Sequence, residues 1–328
     1  MKKTPHNSTC EAPPALILPS PVYKGDTIGL VAPAGSIINQ DNLDSGIHFL
    51  KDAGYKLKLH RDFRNTEGYL AGSDQERADE FNSIWSDPEV KAVVAARGGY
   101  GSLRMLDMLD LEHIRKNPKI LIGFSDLTVL LSAVLKNTGV LTFHGPVVTT
   151  LASIDEHSTN SFLDILSGNL SKRIKPDRLT IVQHGKAAGM LLGGNLTTLA
   201  HMLASPYEIS WQGAILFIED IGESPYRLDR LLTHLAKAQK LDGLSGLILG
   251  TFTEEDRTES PELAKCICDR VLELIGSKNI PIWADFPVGH GSRNLTLPLG
   301  ARVEMDPNTG TLNLLENCFG SPEPASLG

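Results

Sequence analysis

Ser125 stands where an acyl-transfer nucleophile would stand. It follows the apolar run Ile120-Leu-Ile-Gly-Phe124 and precedes Asp126-Leu-Thr128, where helical spacing begins. A serine at a strand-to-helix corner is lifted out of the sheet, with the next backbone N–H groups facing the same space. The plainer role of such a serine is an N-cap. Serine also needs a base, and histidine is the usual one. His290 lies in the glycine-flanked loop Asp285-Phe-Pro-Val-Gly-His-Gly-Ser292, and His144 closes Phe143-His-Gly-Pro146 in the same sheet as Ser125. A solvated loop residue and a structural hydrogen-bonder are their respective alternatives, so the base is open between the two. The base in turn needs an acid to fix its tautomer. Glu219 and Asp220 end the apolar strand Ala214-Ile-Leu-Phe-Ile218. Carboxylates emerging from a buried strand must be paired, and strand alternation lets at most one of them face the histidine. A salt bridge or a cap at the following turn is the competing role. For an oxyanion, the N–H of Asp126 and those of the turn Gly98-Gly99 are donors that no side chain screens. That turn lacks the Gly-Lys-Ser/Thr of a phosphate loop. No clustered metal-ligand spacing occurs either, so no metal or cofactor is expected.

These residues need elements to hold them. Strands are read over Thr27–Ala32, Lys56–His60, Lys91–Ala96, Ile120–Phe124 and Val140–Phe143. Between them come a helix over Asp41–Ala53 and one to about Ser86 that opens with the capping-box spacing Ser73-Asp-Gln-Glu76. Leu127, Leu130, Leu131, Val134 and Leu135 mark one face of a helix after Ser125. This alternation predicts a doubly wound, mostly parallel α/β sheet. Ligands bind at the carboxyl ends of such strands, and the glycine turn, Ser125 and His144 all fall there. Over 151–185 the periodicity weakens to a linker or loop-rich excursion. Beyond it, strands are read over Ala187–Leu192, Ala214–Ile218, Gly246–Leu249 and Ile282–Asp285. Leu295–Pro298, Ala301–Met305 and Thr311–Leu315 are close-set, as antiparallel hairpins are, and helices cover Leu196–Ala204, Pro225–Ala238 and Pro261–Ile275. The expectation is a polar arm at 1–22 that packs late if at all and a nucleophile-bearing domain at 23–150. The linker at 151–185, an α+β domain at 186–318 and a tail at 319–328 complete it.

A chain of 328 residues accommodates two domains. The net charge of −8 lacks the basic footprint of a nucleic-acid binder. Cys10, Cys266, Cys268 and Cys318 make neither a disulfide framework nor a zinc pattern. Met1-Lys-Lys3 can open a signal peptide, but polar residues through Glu11 follow instead of an apolar stretch, which also argues against a lipid on Cys10. No run approaches the roughly 18 apolar residues of a membrane span. A cytoplasmic enzyme or binding protein, with no membrane or nucleic-acid partner, is the simplest expectation.

The ordered segments resemble the LD-carboxypeptidase (muramoyltetrapeptide carboxypeptidase) family of serine peptidases, which includes microcin C immunity-type proteins. They are Val31-Ala-Pro-Ala-Gly35, Arg97-Gly-Gly-Tyr-Gly101, Ile122-Gly-Phe-Ser-Asp-Leu-Thr128, Phe143-His-Gly-Pro146 and Leu192-Gly-Gly-Asn-Leu196. Leu216-Phe-Ile-Glu-Asp-Ile-Gly-Glu223, Tyr226-Arg-Leu-Asp-Arg230 and Pro287-Val-Gly-His-Gly291 follow. The resemblance implies a triad of Ser125 as nucleophile, Glu219 as acid and His290 as base, with oxyanion donors on the N–H groups of Gly99 and Asp126. It implies a flavodoxin-like first domain, a swivelling β/β/α second domain, a site between them and a homodimer. The reaction implied is release of terminal D-alanine from cytoplasmic murein tetrapeptide, at the bond after meso-diaminopimelate, without a metal. A bidentate arginine suits the terminal carboxylate, and Arg97, Arg104 and Arg227 are candidates. Two departures are the extra N-terminal arm and Ala34, where related chains often carry serine. Immunity-type relatives cleave aminoacyl-nucleotide amides and stack the base on an aromatic residue between the domains. Here Leu151–Lys186 contains Phe162 but no Trp or Tyr, which favours the murein peptide, with Trp211 and Tyr207 as the aromatics left to recruit. A non-catalytic two-domain protein that holds a small ligand is the alternative from another class.

Overall fold

The computed structural model describes residues 15–63, 66–254 and 259–320. The sequence readings on residues 1–14, Cys10 among them, and on 321–328 lie outside these described residues. Short strands, the central ones largely apolar, form the first sheet: β1 (Thr27–Val31), β2 (Lys56–Lys58), β3 (Val90–Ala95), β4 (Ile120–Gly123) and β5 (Thr142–His144). They run parallel in the order β5-β4-β3-β1-β2, the flavodoxin-like winding. The connecting helices are α1 (Gln40–Asp52), α2 (Asp74–Ser86), the short α3 (Ser102–Met105) and α4 (Leu111–Lys116), and α5 (Leu127–Thr138). The capping box expected at Ser73 and Glu76 starts α2. Because helices cover both faces, β4 and β5 are buried at every residue.

The stretch expected as a linker is ordered. It holds α6 (Glu156–Ser167), capped by Asp155, and two short strands, β6 (Arg173–Ile174) and β7 (Thr180–Gln183). These strands form the two edges of the second sheet, whose order is β6-β14-β13-β8-β9-β10-β11-β7. Its centre is parallel: β8 (Ala187–Asn195), β9 (Ile215–Asp220), β10 (Gly246–Phe252) and β11 (Ile282–Ala284). They are joined through α7 (Leu196–His201), α8 (Pro225–Lys237) and α9 (Pro261–Ile275). The antiparallel hairpin β13 (Arg302–Asp306) and β14 (Thr311–Leu314) extends it beside β8. The second domain therefore combines a parallel α/β centre with antiparallel flanks.

One strand leaves the domain expected to own it. Leu297–Leu299, as β12, does not pair in the second sheet but runs antiparallel to β5, closing the first sheet's edge. Pro298 is tolerated because an edge strand needs no complete set of N–H donors, and Leu297 and Leu299 are buried there. The arm also packs as far as it is described. Ile17 exchanges backbone hydrogen bonds with Gly139 and Leu141, and Val22 is buried and bonded to Leu166.

α5 joins the two halves. The sequence marks one apolar face, yet nearly every residue from Leu127 to Leu135 is buried. A helix apolar all round needs cover on every side, and α3 and α4 of the first domain with β8 and α7 of the second supply what the first sheet leaves open. The approach is close. A Cβ on Gly194, at φ +139°, would lie 2.4 Å from Thr128 Oγ1. Gly194→Ala is therefore expected to destabilise the protein by about 2–4 kcal/mol through backbone strain and overpacking. Denaturant unfolding measures the loss, and adding Thr128→Ala should recover part of it.

Candidate active site

Ser125 ends the strand-to-helix turn with φ +65°, in the left-handed region. For a non-glycine residue this strain is of order 1–3 kcal/mol, and it persists only where the surroundings impose it. Ser125 does not cap α5, because the cap position is Asp126 and no side chain bonds the first-turn N–H groups there. The turn Arg97–Gly101 lies directly on the serine. A Cβ on Gly98 would fall 2.8 Å from Ser125 Cβ and 3.0 Å from its Oγ, so only glycine leaves the hydroxyl open. Two buried side chains hold this turn. Asp126 Oδ2 accepts the Ser102 N–H at 2.8 Å. The fully buried Arg77 donates to the carbonyls of Gly101 at 2.9 Å and Gly72 at 3.1 Å, and also to that of Pro33. Burial pushes the Asp126 carboxyl above the usual range, and the Ser102 N–H opposes it. One residue thus ties the elbow to the glycine turn through its side chain.

The second sheet brings a histidine to this elbow. His290 Nδ1 and Glu219 Oε2 share a hydrogen bond of 2.6 Å. Glu219 is fully buried near the end of β9, with Oε1 lacking a hydrogen bond. The His290 ring packs on Phe124, the residue before Ser125, with centroids 4.6 Å apart. Asn294 fixes the loop: its Oδ1 accepts the Gly289 N–H at 3.0 Å, and its own N–H donates to Ser158 Oγ of α6 at 2.9 Å. Ser125 Oγ forms no hydrogen bond among the described residues, the loose geometry common where no substrate is bound.

The two carboxylates part as strand alternation requires. While Glu219 meets His290, Asp220 turns to Asn195 Nδ2 at 2.8 Å, the Ile221 N–H at 2.9 Å, and the N–H and hydroxyl of Thr197 at 2.9 and 2.7 Å. Burial and then the neighbouring Glu219 charge push its pKa up to about 6. The Asn195 N–H donates to Thr128 Oγ1 at 3.1 Å, which carries the network back to the nucleophile's helix. Sequence reasoning reached Leu192-Gly-Gly-Asn-Leu196 only by resemblance. The available signal was a buried strand ending in two glycines and a capping Asn.

His144 is elsewhere. It is fully buried, its ring edge-on to Phe124 and Phe217, and neither nitrogen has a hydrogen-bond partner. Burial pushes its pKa down to about 4, so it packs as a neutral ring between the halves. The three candidate arginines are engaged. Arg97 bonds the Ser36 carbonyl, Arg104 pairs with Asp74 at 2.9 Å, and Arg227 meets Glu223 at 3.6 Å and the Tyr226 hydroxyl at 3.2 Å. Phe162 and Trp211 are buried, so neither presents a free aromatic face, and the partly buried Tyr207 bonds Asp107 through its hydroxyl.

Known proteins share this fold. The sequence profile of the LD-carboxypeptidase N-terminal domain matches residues 28–145, and that of the C-terminal domain matches 188–305. The chain belongs to the LD-carboxypeptidase family. With membership comes the enzyme class, a serine-type carboxypeptidase. The probable murein peptide carboxypeptidase of Bacillus subtilis strain 168 is 37% identical over 297 residues, covering 88% of this chain and 91% of that protein. Among solved structures, muramoyltetrapeptide carboxypeptidase from Oxalobacter formigenes has a TM-score of 0.73 at 30% identity, over 90% of this LD-carboxypeptidase and 100% of that chain. Microcin C7 self immunity protein MccF in complex with aspartyl sulfamoyl adenosine has a TM-score of 0.82 at 28% identity, over 93% and 100% of the two chains.

Two outcomes follow from this geometry. Asp126→Ala is expected to lower kcat roughly tenfold to a hundredfold with KM little changed, since it frees the glycine turn from the elbow. Asp126→Asn keeps an oxygen for the Ser102 N–H and should restore most of the rate; steady-state kinetics with thermal melts check both. His144 has a folded pKa below its unfolded one, so its contribution to stability is full above about pH 6.5 and is lost towards pH 4, roughly 3 kcal/mol in all. Asp220, raised to about 6, carries the opposite slope across an overlapping range. The readout is therefore the difference between wild type and His144→Phe in unfolding free energy at pH 7 and pH 4.5, which should shrink at the lower pH.

Proposed function

We propose that Ser125, His290 and Glu219 act as a catalytic triad that releases terminal D-alanine from murein tetrapeptide by hydrolysing the L,D-peptide bond after meso-diaminopimelate. The observation that carries this reading is the 2.6 Å His290–Glu219 bond, held in a loop that packs on Phe124 beside Ser125. The buried carboxylate fixes the proton on Nδ1, leaving Nε2 to accept from serine, and stabilises the imidazolium that follows. Ser125 Oγ attacks the carbonyl carbon as His290 takes its proton. The oxyanion rests on the N–H groups of Gly99 and Asp126. Collapse breaks the C–N bond, and His290 gives its proton to the departing D-alanine amine. Water then attacks the acyl-enzyme by the same route, and the proton returns to Ser125.

The murein substrate is supported by the names of the relatives, and the D-alanine bond by the family resemblance. On that resemblance the enzyme works as a cytoplasmic homodimer in cell-wall recycling. A second reading, cleavage of aminoacyl-nucleotide amides, is favoured by the likeness to MccF bound to aspartyl sulfamoyl adenosine. It is weakened by the burial of Phe162 and Trp211, which leaves neither to stack on a base. Assaying both substrates separates the two, and cleavage of the nucleotide conjugate alone would reject the murein reading. Ser125→Ala is expected to reduce D-alanine release by about a million-fold with the melting temperature preserved. A normal rate in that variant would reject the triad and leave a non-catalytic binding protein.

A further inference from the structure

A cavity of about 830 Å³ opens at the carboxyl ends of β10 and β11. Its size falls in the range of ligand pockets, roughly 300–1,000 Å³. Its position is the edge where open α/β sheets bind ligands. It adjoins the His290 loop, since Pro287, Ser292 and Arg293 contribute to its wall.

The charges on this wall sort into committed and uncommitted groups. Asp285 accepts the Thr180 hydroxyl at 2.5 Å. Asp177 lies 3.2 Å from His157 and 3.9 Å from Arg293, and Arg293 also pairs with Asp155 at 3.3 Å. Arg178 and Glu259 remain. Both line the cavity, yet neither side chain has a hydrogen bond or ion pair among the described residues, with each other or with anything else. Glu259 is anchored beside the candidate base. Its Oε1 stands 2.7 Å from where a Cβ on Gly291 would be, and its backbone bridges Thr253. A guanidinium and a carboxylate left apart on one cavity match a ligand carrying the opposite pair. A ligand with a carboxylate alone would meet repulsion from Glu259, and one with an ammonium alone would leave Arg178 unused.

We infer that this cavity is a specificity subsite for a zwitterionic α-amino-acid group on the substrate, with Arg178 bonding its carboxylate and Glu259 its ammonium. The inference rests on the hydrolase reading above and adds to it the class of side chain recognised. The free end of meso-diaminopimelate is a group of this class. Arg178 thereby takes up the carboxylate recognition sought in Arg97, Arg104 and Arg227, but for a side chain of the acyl portion rather than the leaving D-alanine.

The test compares two tetrapeptides that differ only in the third residue: meso-diaminopimelate, which is zwitterionic there, or lysine, which carries only the ammonium. Calorimetric binding to Ser125→Ala protein isolates recognition from chemistry. Arg178→Ala in that background should weaken the diaminopimelate peptide about tenfold or more, the loss expected for a charged hydrogen bond, and leave the lysine peptide unchanged. Glu259→Gln should weaken both peptides, and Arg178→Lys should recover part of the first loss. In the active enzyme the same changes should appear in KM, with kcat held. Both side chains are exposed, so the variants should keep their fold. Equal affinities for the diaminopimelate peptide with and without Arg178, in a protein that still releases D-alanine, would overturn the subsite and leave the hydrolase reading standing. An enzyme that cleaves neither peptide, while its Ser125→Ala form binds with Arg178-dependent affinity, would do the reverse.

Discussion

The candidate site depends on how closely α5 approaches the carboxyl ends of β8 and β9. Ser125 stands on one sheet and the His290–Glu219 pair on the other, so a shift of one against the other separates them. Three contacts fix the seam. Gly194 has no side chain where Thr128 comes in, Thr128 Oγ1 accepts the Asn195 N–H, and the Asn195 amide closes on Asp220. Asp220 follows Glu219 in the same strand, so the chain of bonds that locates the helix also locates Glu219. Proximity between reacting groups is worth several kcal/mol of a reaction barrier, and here it is maintained by close buried contacts among Gly194, Thr128, Asn195 and Asp220.

Behind the site the protein buries polar groups and satisfies most of them from backbone. Arg77 spends its donors on three carbonyls and on Asp74, and Asp220 takes bonds from two N–H groups. Such networks rigidify when complete. Exceptions among the described residues include Glu219 Oε1, both nitrogens of His144 and Asn294 Nδ2 where the halves meet, and Ser224 Oγ and Trp283 Nε1 in the second domain. His144 is kept neutral by the same dry surroundings that strengthen the His290–Glu219 interaction.

Much of this was legible in the sequence because local signals and tertiary demands agree. Strand-like runs followed by helical spacing located Ser125, and alternation along Leu216–Asp220 allowed one carboxylate to face a histidine. The residues alone did not choose between His144 and His290, since both follow strands and both sit among glycines and apolar residues. The choice turns on burial, which comes from Phe217 and Phe124 closing over His144 across the seam. The second, third and fourth faces of α5 were illegible for the same reason: one helix's periodicity does not announce a neighbour from another domain. Leu297–Leu299 read as part of a hairpin because its neighbours in sequence are strands, whereas its partner β5 lies more than 150 positions earlier. Arg178 and Glu259 carry no local pattern at all, and only the topology of β10 and β11 sets them on one cavity.

That long-range strand has a consequence for how the molecule is made. On the ribosome, β1 to β5 emerge first and could wind into a sheet, but the edge of β5 stays open until residue 299 has been synthesised. An open edge is a template for mispairing. The half that carries Ser125 must therefore wait, incompletely covered, while the strands of the second domain are made. His290 is made only shortly before the strand that covers that edge, so Ser125, Glu219 and His290 come together late, and a chain cut short of β12 cannot hold all three in place.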